Sequence, residues 1–444
     1  MTRRVEILES SMVVPAEDTL REMLSLSNID LLKGIKRSNT IYLYKNNEGA
    51  KDFFSAEVLK SALAKTLVLF YPLAGRHVVG DGGSNQIDCN AEGVLFKVAR
   101  SELTADSIQF EPMSEEIIEL FIPKKPHSSS LLIMLQVTHL KCGSVVLGTS
   151  TNHIFIDGRG AALMFRTWSQ IARGDLKSVV QPSFDNGPLC ARSPPKVSFE
   201  FPVYNPDDPD PSEKEDNTKS CVCVLRLFKL SAEQIRKLKM RCSNISRVST
   251  FCAVSALVWK CYCSASAQEL ALAPDRKSSL YFPADIRNRI HPPIPDYCAN
   301  GAIRMVATSQ VFEITTSPIG NVARTVKAEI DRVTDEYIRS FIDYVKVMSD
   351  QKMPVKTKYV SESDLRIRTI LGVPLCDVDF GWGPPQLFSW EKPTENRVAY
   401  IMNQLGNDNG GIKLTLALHP STMKLFEKLF YEELELSFTD DQIK

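Results

Sequence analysis

The 444-residue chain lacks a charge excess of either sign: 53 Lys and Arg residues balance 53 Asp and Glu residues. That balance gives no support for a nucleic-acid partner or an anionic membrane surface, which select basic chains. Apolar runs long enough to span a bilayer are missing. The N-terminus, Met1-Thr2-Arg3-Arg4-Val5-Glu6-Ile7-Leu8-Glu9, has no apolar signal core. Histidine is scarce, six in all, so few side chains can exchange a proton near neutral pH. The eleven cysteines form no dense framework. Cys221/Cys223 and Cys261/Cys263 are two residues apart, without a CxxC partner or a histidine at zinc-ligand spacing, so no metal site is expected. They read as small buried hydrophobes kept reduced, in a cytoplasmic protein. A G-x-S-x-G elbow, a Walker A loop and a dinucleotide fingerprint are all absent.

What remains is an ordinary globular composition, 43% hydrophobic and 24% charged, in a chain long enough for two domains. In the first half, Ser55 caps a helix whose apolar face uses Val58, Leu59, Ala62, Leu63 and Leu67. Leu131 to Thr138 and Ser144 to Thr151 read as two strands joined by a Lys141-Cys142-Gly143 turn. Prolines then recur from Gln181 to Lys219, and Asp207 to Asp216 is acidic. Such a stretch builds no core and reads as an exposed linker. The expected division is therefore a domain over 1–180, a linker over 181–219 and a second domain over 220–444. The second half restarts with a strand, Cys221 to Leu230, then a helix with a capping-box-like Ser231-Ala232-Glu233-Gln234 start. Thr250 to Tyr262 is apolar nearly all round and reads as a buried helix. One long amphipathic helix is expected from Ser317-Pro318 past Tyr337, then a strand over Ile412 to Leu418 and a helix from Ser421 through Glu433.

Three stretches could carry chemistry. His153-Ile154-Phe155-Ile156-Asp157-Gly158 follows a strand-like run and precedes a helix-like one, where side chains face clefts. His153 reads either as a general base, with Asp157 holding local geometry, or as a satisfied polar residue at a strand end. Asp379-Phe380-Gly381-Trp382-Gly383 brackets a tryptophan with two glycines, a tight turn that can set Asp379 against a cation. A buried structural loop explains it equally well. In Asp285-Ile286-Arg287-Asn288-Arg289 an arginine is available to orient a carboxylate. With no covalent nucleophile set beside a base, a proton-shuttling histidine is the simplest enzyme hypothesis.

H-x-x-x-D-G followed by D-F-G-W-G, both intact and in that order, resembles the plant BAHD acyl-CoA-dependent acyltransferases. Ser11 to Ala16, Tyr71 to Arg76, Ile87 to Gly93 and Met423 to Glu427 resemble its hydroxycinnamoyltransferase branch, and the resemblance covers essentially the whole chain. It implies an α/β fold of two similar chloramphenicol-acetyltransferase-like domains with mixed sheets and an active-site channel. It implies a cytoplasmic monomer of phenylpropanoid metabolism that moves an aromatic acyl group from coenzyme A to an alcohol or amine. Acyl-CoA is then a co-substrate, and no cofactor is bound permanently. His153 is the implied base, Asp157 its structural support through Arg287, and the Asp379 to Gly383 loop structural. Ser38, Thr40, Tyr42, Arg368 and Ile370 match acceptor-pocket positions. Shikimate-using members carry Thr-Ser-Trp where this chain has Arg368-Thr369-Ile370, and an arginine where it has Val355; Arg366 or Arg368 is the candidate replacement. The competing reading is a non-catalytic member that binds acyl-CoA or a protein partner.

Overall fold

The computed structural model describes residues 5–46, 49–80, 83–124, 130–204, 223–242, 246–353, 355, 361–375, 377–393, 395–405 and 410–439. The acidic run Asp207 to Asp216 and cysteines Cys221 and Cys376 lie outside the described residues. The strands are β1 (Val5–Val13), β2 (Met23–Ser25), β3 (Arg37–Tyr44), β4 (Arg76–Val79), β5 (Asn85–Asp88), β6 (Val94–Ser101), β7 (Ile133–Leu140), β8 (Val145–Asn152), β9 (Val224–Leu230), β10 (Lys277–Asp285), β11 (Ala302–Gln310), β12 (Leu365–Thr369), β13 (Leu387–Trp390), β14 (Val398–Asn403) and β15 (Ile412–Leu418). The helices used below are α1 (Ala56–Leu69), α2 (Glu115–Phe121), α3 (Gly158–Ala172), α4 (Ala232–Met240), α5 (Thr250–Leu270), α6 (Val311–Thr316), α7 (Ile319–Asp331), α8 (Asp335–Asp350) and α9 (Pro420–Thr439).

Two compact units result. The first takes Met1–Cys190, Ile294–Gly301 and Val373–Glu391; the second takes Ala191–Pro293, Ala302–Gly372 and Lys392–Lys444. The first boundary falls inside the 181–219 stretch, but two later segments return to the first unit, where the sequence suggested consecutive blocks. Pairing explains the return. Ser183 N–H donates to Asp296 and Cys298 N–H to Ser183, and β13 adds to the edge of the first unit's sheet beside β3. The D-F-G-W-G loop, expected with the C-terminal block, thus belongs to the first unit.

The first unit is built on a six-stranded mixed sheet, β1-β6-β7-β8-β3-β13. Its central strands β7 and β8 are buried almost throughout, including the polar end of β8, Thr149-Ser150-Thr151-Asn152. In β3 the alternation is two-sided: Ile41 and Leu43 enter a cluster with Phe110, Met113 and Phe121, while Tyr42 and Tyr44 pack on Phe165 of α3 and on Phe54. Gly148 is obligatory in β8, since an added Cβ would lie 1.8 Å from the Phe121 carbonyl oxygen. Ser55 caps α1 as expected, although Val58 is exposed and Thr66 takes a buried place instead.

The second unit holds the sheet β11-β10-β12-β14-β15-β9. Helix α5 is buried on nearly all sides and ties to β10 through Trp259 Nε1–H donating to Ser278 Oγ at 2.9 Å. The Ser231 capping box of α4 is present. The single helix expected beyond Ser317 is two helices, α7 and α8, broken at Arg332 to Thr334. The break arises because Thr334 Oγ1 accepts the Tyr337 N–H at 3.3 Å and Asp335 and Glu336 occupy the new first turn. Thr334→Ala is expected to lower unfolding stability by about 1 kcal/mol in urea titrations. An unchanged midpoint contradicts this account of the break.

Candidate active site

His153 stands one residue past β8, partly exposed, with its N–H donated to Lys36 O at 2.7 Å. Strand register puts Thr151 opposite Ser38 and Thr149 opposite Thr40. Alternation therefore sets His153, Thr151, Thr149, Ser38 and Thr40 on one face of the sheet. The Thr40 and Thr149 hydroxyls are 2.7 Å apart, and Trp390 Nε1–H donates to Ser38 Oγ at 2.9 Å. Tyr42 lies further along the same face and is fully buried beside the Phe165 and Phe388 rings.

The imidazole is held by a residue that the sequence did not single out. His153 Nδ1 lies 3.1 Å from Asn300 Oδ1, across 147 positions of sequence. The amide's orientation follows from its other face: Asn300 Nδ2 donates to Asp30 Oδ1 at 2.7 Å and to the His153 carbonyl at 3.0 Å. A flipped amide would set oxygen against both acceptors. Oδ1 therefore faces the ring, Nδ1 carries the proton, and the lone pair sits on Nε2, the nitrogen suited to accept a proton. Asp30 is in turn fixed by the Ser27 N–H and hydroxyl, at 2.9 and 2.6 Å, and by the Asn300 N–H at 3.1 Å. Burial pushes the Asp30 carboxyl up to about 6, against the downward pull of the Ser27 and Asn300 hydrogen bonds.

Asp157 organises the same neighbourhood through backbone. One oxygen accepts the Arg159 and Gly160 N–H groups at 3.1 and 3.0 Å, capping α3; the other accepts the Gly301 N–H at 2.9 Å. Gly158 is the first residue of α3. Gly160 lets the 294–301 segment reach the helix: a Cβ there would lie 1.8 Å from the Cys298 carbonyl oxygen. Arg287, in the second unit, is fully buried and pairs with Asp285 Oδ2 at 3.3 Å.

The D-F-G-W-G loop lies at the other end of β3. Tyr44 OH donates to Val378 O, whereas Ser38 marks the His153 end, six strand residues or roughly 20 Å away. Among the described residues, no cationic side chain is set against the Asp379 carboxylate. Its Oδ1 accepts the Gly381 and Gly383 N–H groups at 2.8 and 2.9 Å, and Arg173 reaches only its carbonyl. Both glycines have positive φ, 102° and 94°. Phe380 packs edge-on against Trp168, and Trp382 meets Phe53 edge-on and Phe54 at a tilt. Arg368 and Ile370 belong to the second unit, on β12 and just beyond it; Arg368 Nη1 donates to Tyr400 OH at 2.9 Å. Among the described residues no cluster of His, Cys, Asp or Glu could hold a metal ion, and no helix is long and apolar enough to cross a membrane.

Because its folded pKa is raised, Asp30 adds stability that is complete below about 3.8 and lost as the pH rises through about 6. Urea unfolding between pH 4 and pH 7 is expected to show wild type losing up to roughly 3 kcal/mol relative to Asp30→Asn. Parallel slopes for the two proteins contradict the burial argument.

Comparison with known proteins agrees with this architecture. A family model described as the transferase family matches residues 3–433. Putrescine hydroxycinnamoyltransferase 1 of Oryza sativa is 36% identical over 97% of this chain and 99% of its own length. Shikimate O-hydroxycinnamoyltransferase of Nicotiana tabacum is 32% identical, over 97% and 100%. Vinorine synthase superposes with a TM-score of 0.73 at 21% identity, covering 95% of this chain and 96% of that one. F. graminearum TRI101 complexed with coenzyme A and deoxynivalenol gives 0.75 at 16% identity, covering 91% and 96%. The chain belongs to the transferase family and is a plant BAHD acyl-CoA-dependent hydroxycinnamoyltransferase, which moves an aromatic acyl group from coenzyme A, its co-substrate, to an alcohol or amine acceptor.

Proposed function

We propose that His153 is the general base of this transfer and that Asn300, Asp30 and Asp157 are its positioning residues. The observation that carries the reading is the Asn300 carboxamide, which holds Nδ1–H and leaves the lone pair on Nε2. With donor and acceptor bound together, Nε2 removes the proton from the acceptor hydroxyl or neutral amine as its oxygen or nitrogen attacks the thioester carbonyl. The tetrahedral intermediate collapses by breaking the carbon–sulfur bond, the ester or amide forms, and the coenzyme A thiolate takes the proton back from His153. The imidazolium formed in between sits one amide away from Asp30. Above about pH 6 that carboxylate polarises Asn300 toward the developing charge. Ser38 and Thr40 share the His153 face and are proposed to meet the acceptor; Asp379 to Gly383 supports the core. The cysteines among the described residues are free, which supports a reducing compartment, the cytosol.

His153→Ala is expected to lower kcat about 10²–10⁴-fold with the fold intact by circular dichroism. Asn300→Ala is expected to lower kcat about 10–100-fold while the KM for acyl-CoA stays constant. The assay uses p-coumaroyl-CoA with a panel of alcohols and amines, following free thiol and product mass. Near-normal turnover by His153→Ala sinks the assignment. Thioester binding without turnover by the wild-type protein favours a non-catalytic role.

A further inference from the structure

The His153 face of the first sheet carries an indole at its edge strand. Trp390 stands opposite Thr40 in the β13–β3 ladder, and Thr40 stands opposite Thr149 of β8. Alternation therefore sets Trp390 on the face that carries Ser38, Thr40 and His153. All four residues belong to the first unit. Trp168 and Trp259 are fully buried, as core tryptophans are, whereas Trp390 is partly exposed, like Ser38, Thr40 and His153.

The ring is fixed by its own neighbours. Its Nε1–H donates to Ser38 Oγ at 2.9 Å. On the opposite face the next residue fastens the strand end: Glu391 Oε2 accepts the Asn39 N–H and Nδ2–H at 3.1 and 3.0 Å, and the Glu391 N–H donates to Asn39 O at 3.0 Å. The one polar group of the indole is thus satisfied, and what it offers a ligand is its π surface. The Thr40 and Thr149 hydroxyls meet each other at 2.7 Å, and the Glu391 carboxylate is turned to Asn39. An ammonium on this ring would find no counter-charge in these groups, whereas an aromatic ring needs none. Register also puts the indole within reach of the reaction. Lys36 O accepts the His153 N–H, so His153 stands one strand across from Lys36 and two positions along β3 from Ser38. That separates His153 from the serine that anchors the indole by roughly 7 Å along the strand and about 5 Å across it, backbone to backbone. A two-carbon linker, between carbonyl and ring in a hydroxycinnamoyl group or between nitrogen and ring in an arylethylamine, suits such a gap.

We propose that Trp390 is a specificity-determining residue whose indole face receives the aromatic ring of a substrate while the reacting atoms lie at His153. The inference rests on the proposed role of His153 for where those atoms are. Two substrates can supply the ring: the hydroxycinnamoyl group of the donor, or an aromatic acceptor. Either way the indole selects for a flat ring two carbons from the reacting centre and against an alkyl chain of similar length.

Calorimetric titration of wild type and Trp390→Leu, with Trp390→Phe as the ring-retaining control, tests it. The donors are p-coumaroyl-CoA and hexanoyl-CoA; the acceptors are tyramine and putrescine, titrated into protein saturated with coenzyme A. Turnover of each donor and acceptor pair is followed in parallel. If the acyl group supplies the ring, Trp390→Leu weakens p-coumaroyl-CoA about 3–10-fold more than hexanoyl-CoA. If the acceptor supplies it, a similar margin separates tyramine from putrescine. Trp390→Phe keeps most of either preference. Equal changes for aromatic and aliphatic ligands, including no change, or a loss confined to putrescine, overturn the proposal, whether or not turnover is seen. A wild type that shows the ring preference in binding but transfers no acyl group overturns the reading of His153 instead.

Discussion

The Asn300 carboxamide is the joint on which the orientation of His153, the proposed base, depends. Its oxygen meets His153 and its nitrogen meets Asp30, and neither face can be exchanged without opposing like dipoles. An imidazole at a strand end has two tautomers and a rotatable ring. A buried amide with a fixed orientation removes that freedom before any substrate arrives, which is the kind of preorganisation that general-base catalysis needs. Asp30 contributes from deep burial, so its hydrogen bonds to Ser27 and Asn300 are strengthened by the low local dielectric.

Placing Asn300 requires a chain that returns. The 294–301 segment leaves the second half of the sequence, pairs with Ser183, and passes so close to the start of α3 that Gly160 admits no side chain. Asp157 fastens both partners of that approach, capping the helix with one oxygen and holding Gly301 with the other. The motif histidine and aspartate thus differ in kind. One is the proposed base, and the other sets the distance between two backbones. The D-F-G-W-G loop repeats the second role elsewhere: an aspartate satisfies two glycine N–H groups so that Phe380 can fill the core against Trp168 of α3, with the half-buried Trp382 against Phe53 and Phe54.

Local features were legible in the sequence because their causes are local. The Ser55 and Ser231 caps, the Lys141 to Gly143 turn, the buried α5 helix and β15 all follow from spacing within a dozen residues. The break between α7 and α8 escaped because amphipathic periodicity continues across it, while the Thr334 cap is a single hydroxyl. Asn300 and Asp30 escaped for a different reason. Nothing near Tyr297-Cys298-Ala299-Asn300-Gly301 marks it as more than a turn, and its partners lie 147 and 270 positions away. Tyr42 was placed by resemblance beside Ser38 and Thr40, and alternation does keep it on their face. Further along the strand that face is covered by Phe165 and Phe388, which composition cannot foresee.

The tautomer of His153 tests the account most directly. With six histidines in the chain, nitrogen-15 labelling of the imidazoles and assignment through His153→Gln give a resolvable spectrum. Recorded above the pKa of the ring, the account predicts that His153 carries its proton on Nδ1, with Nε2 at the shift of an unprotonated nitrogen, and that Asn300→Ala abolishes this preference. A His153 ring protonated on Nε2 in the wild-type protein would contradict it.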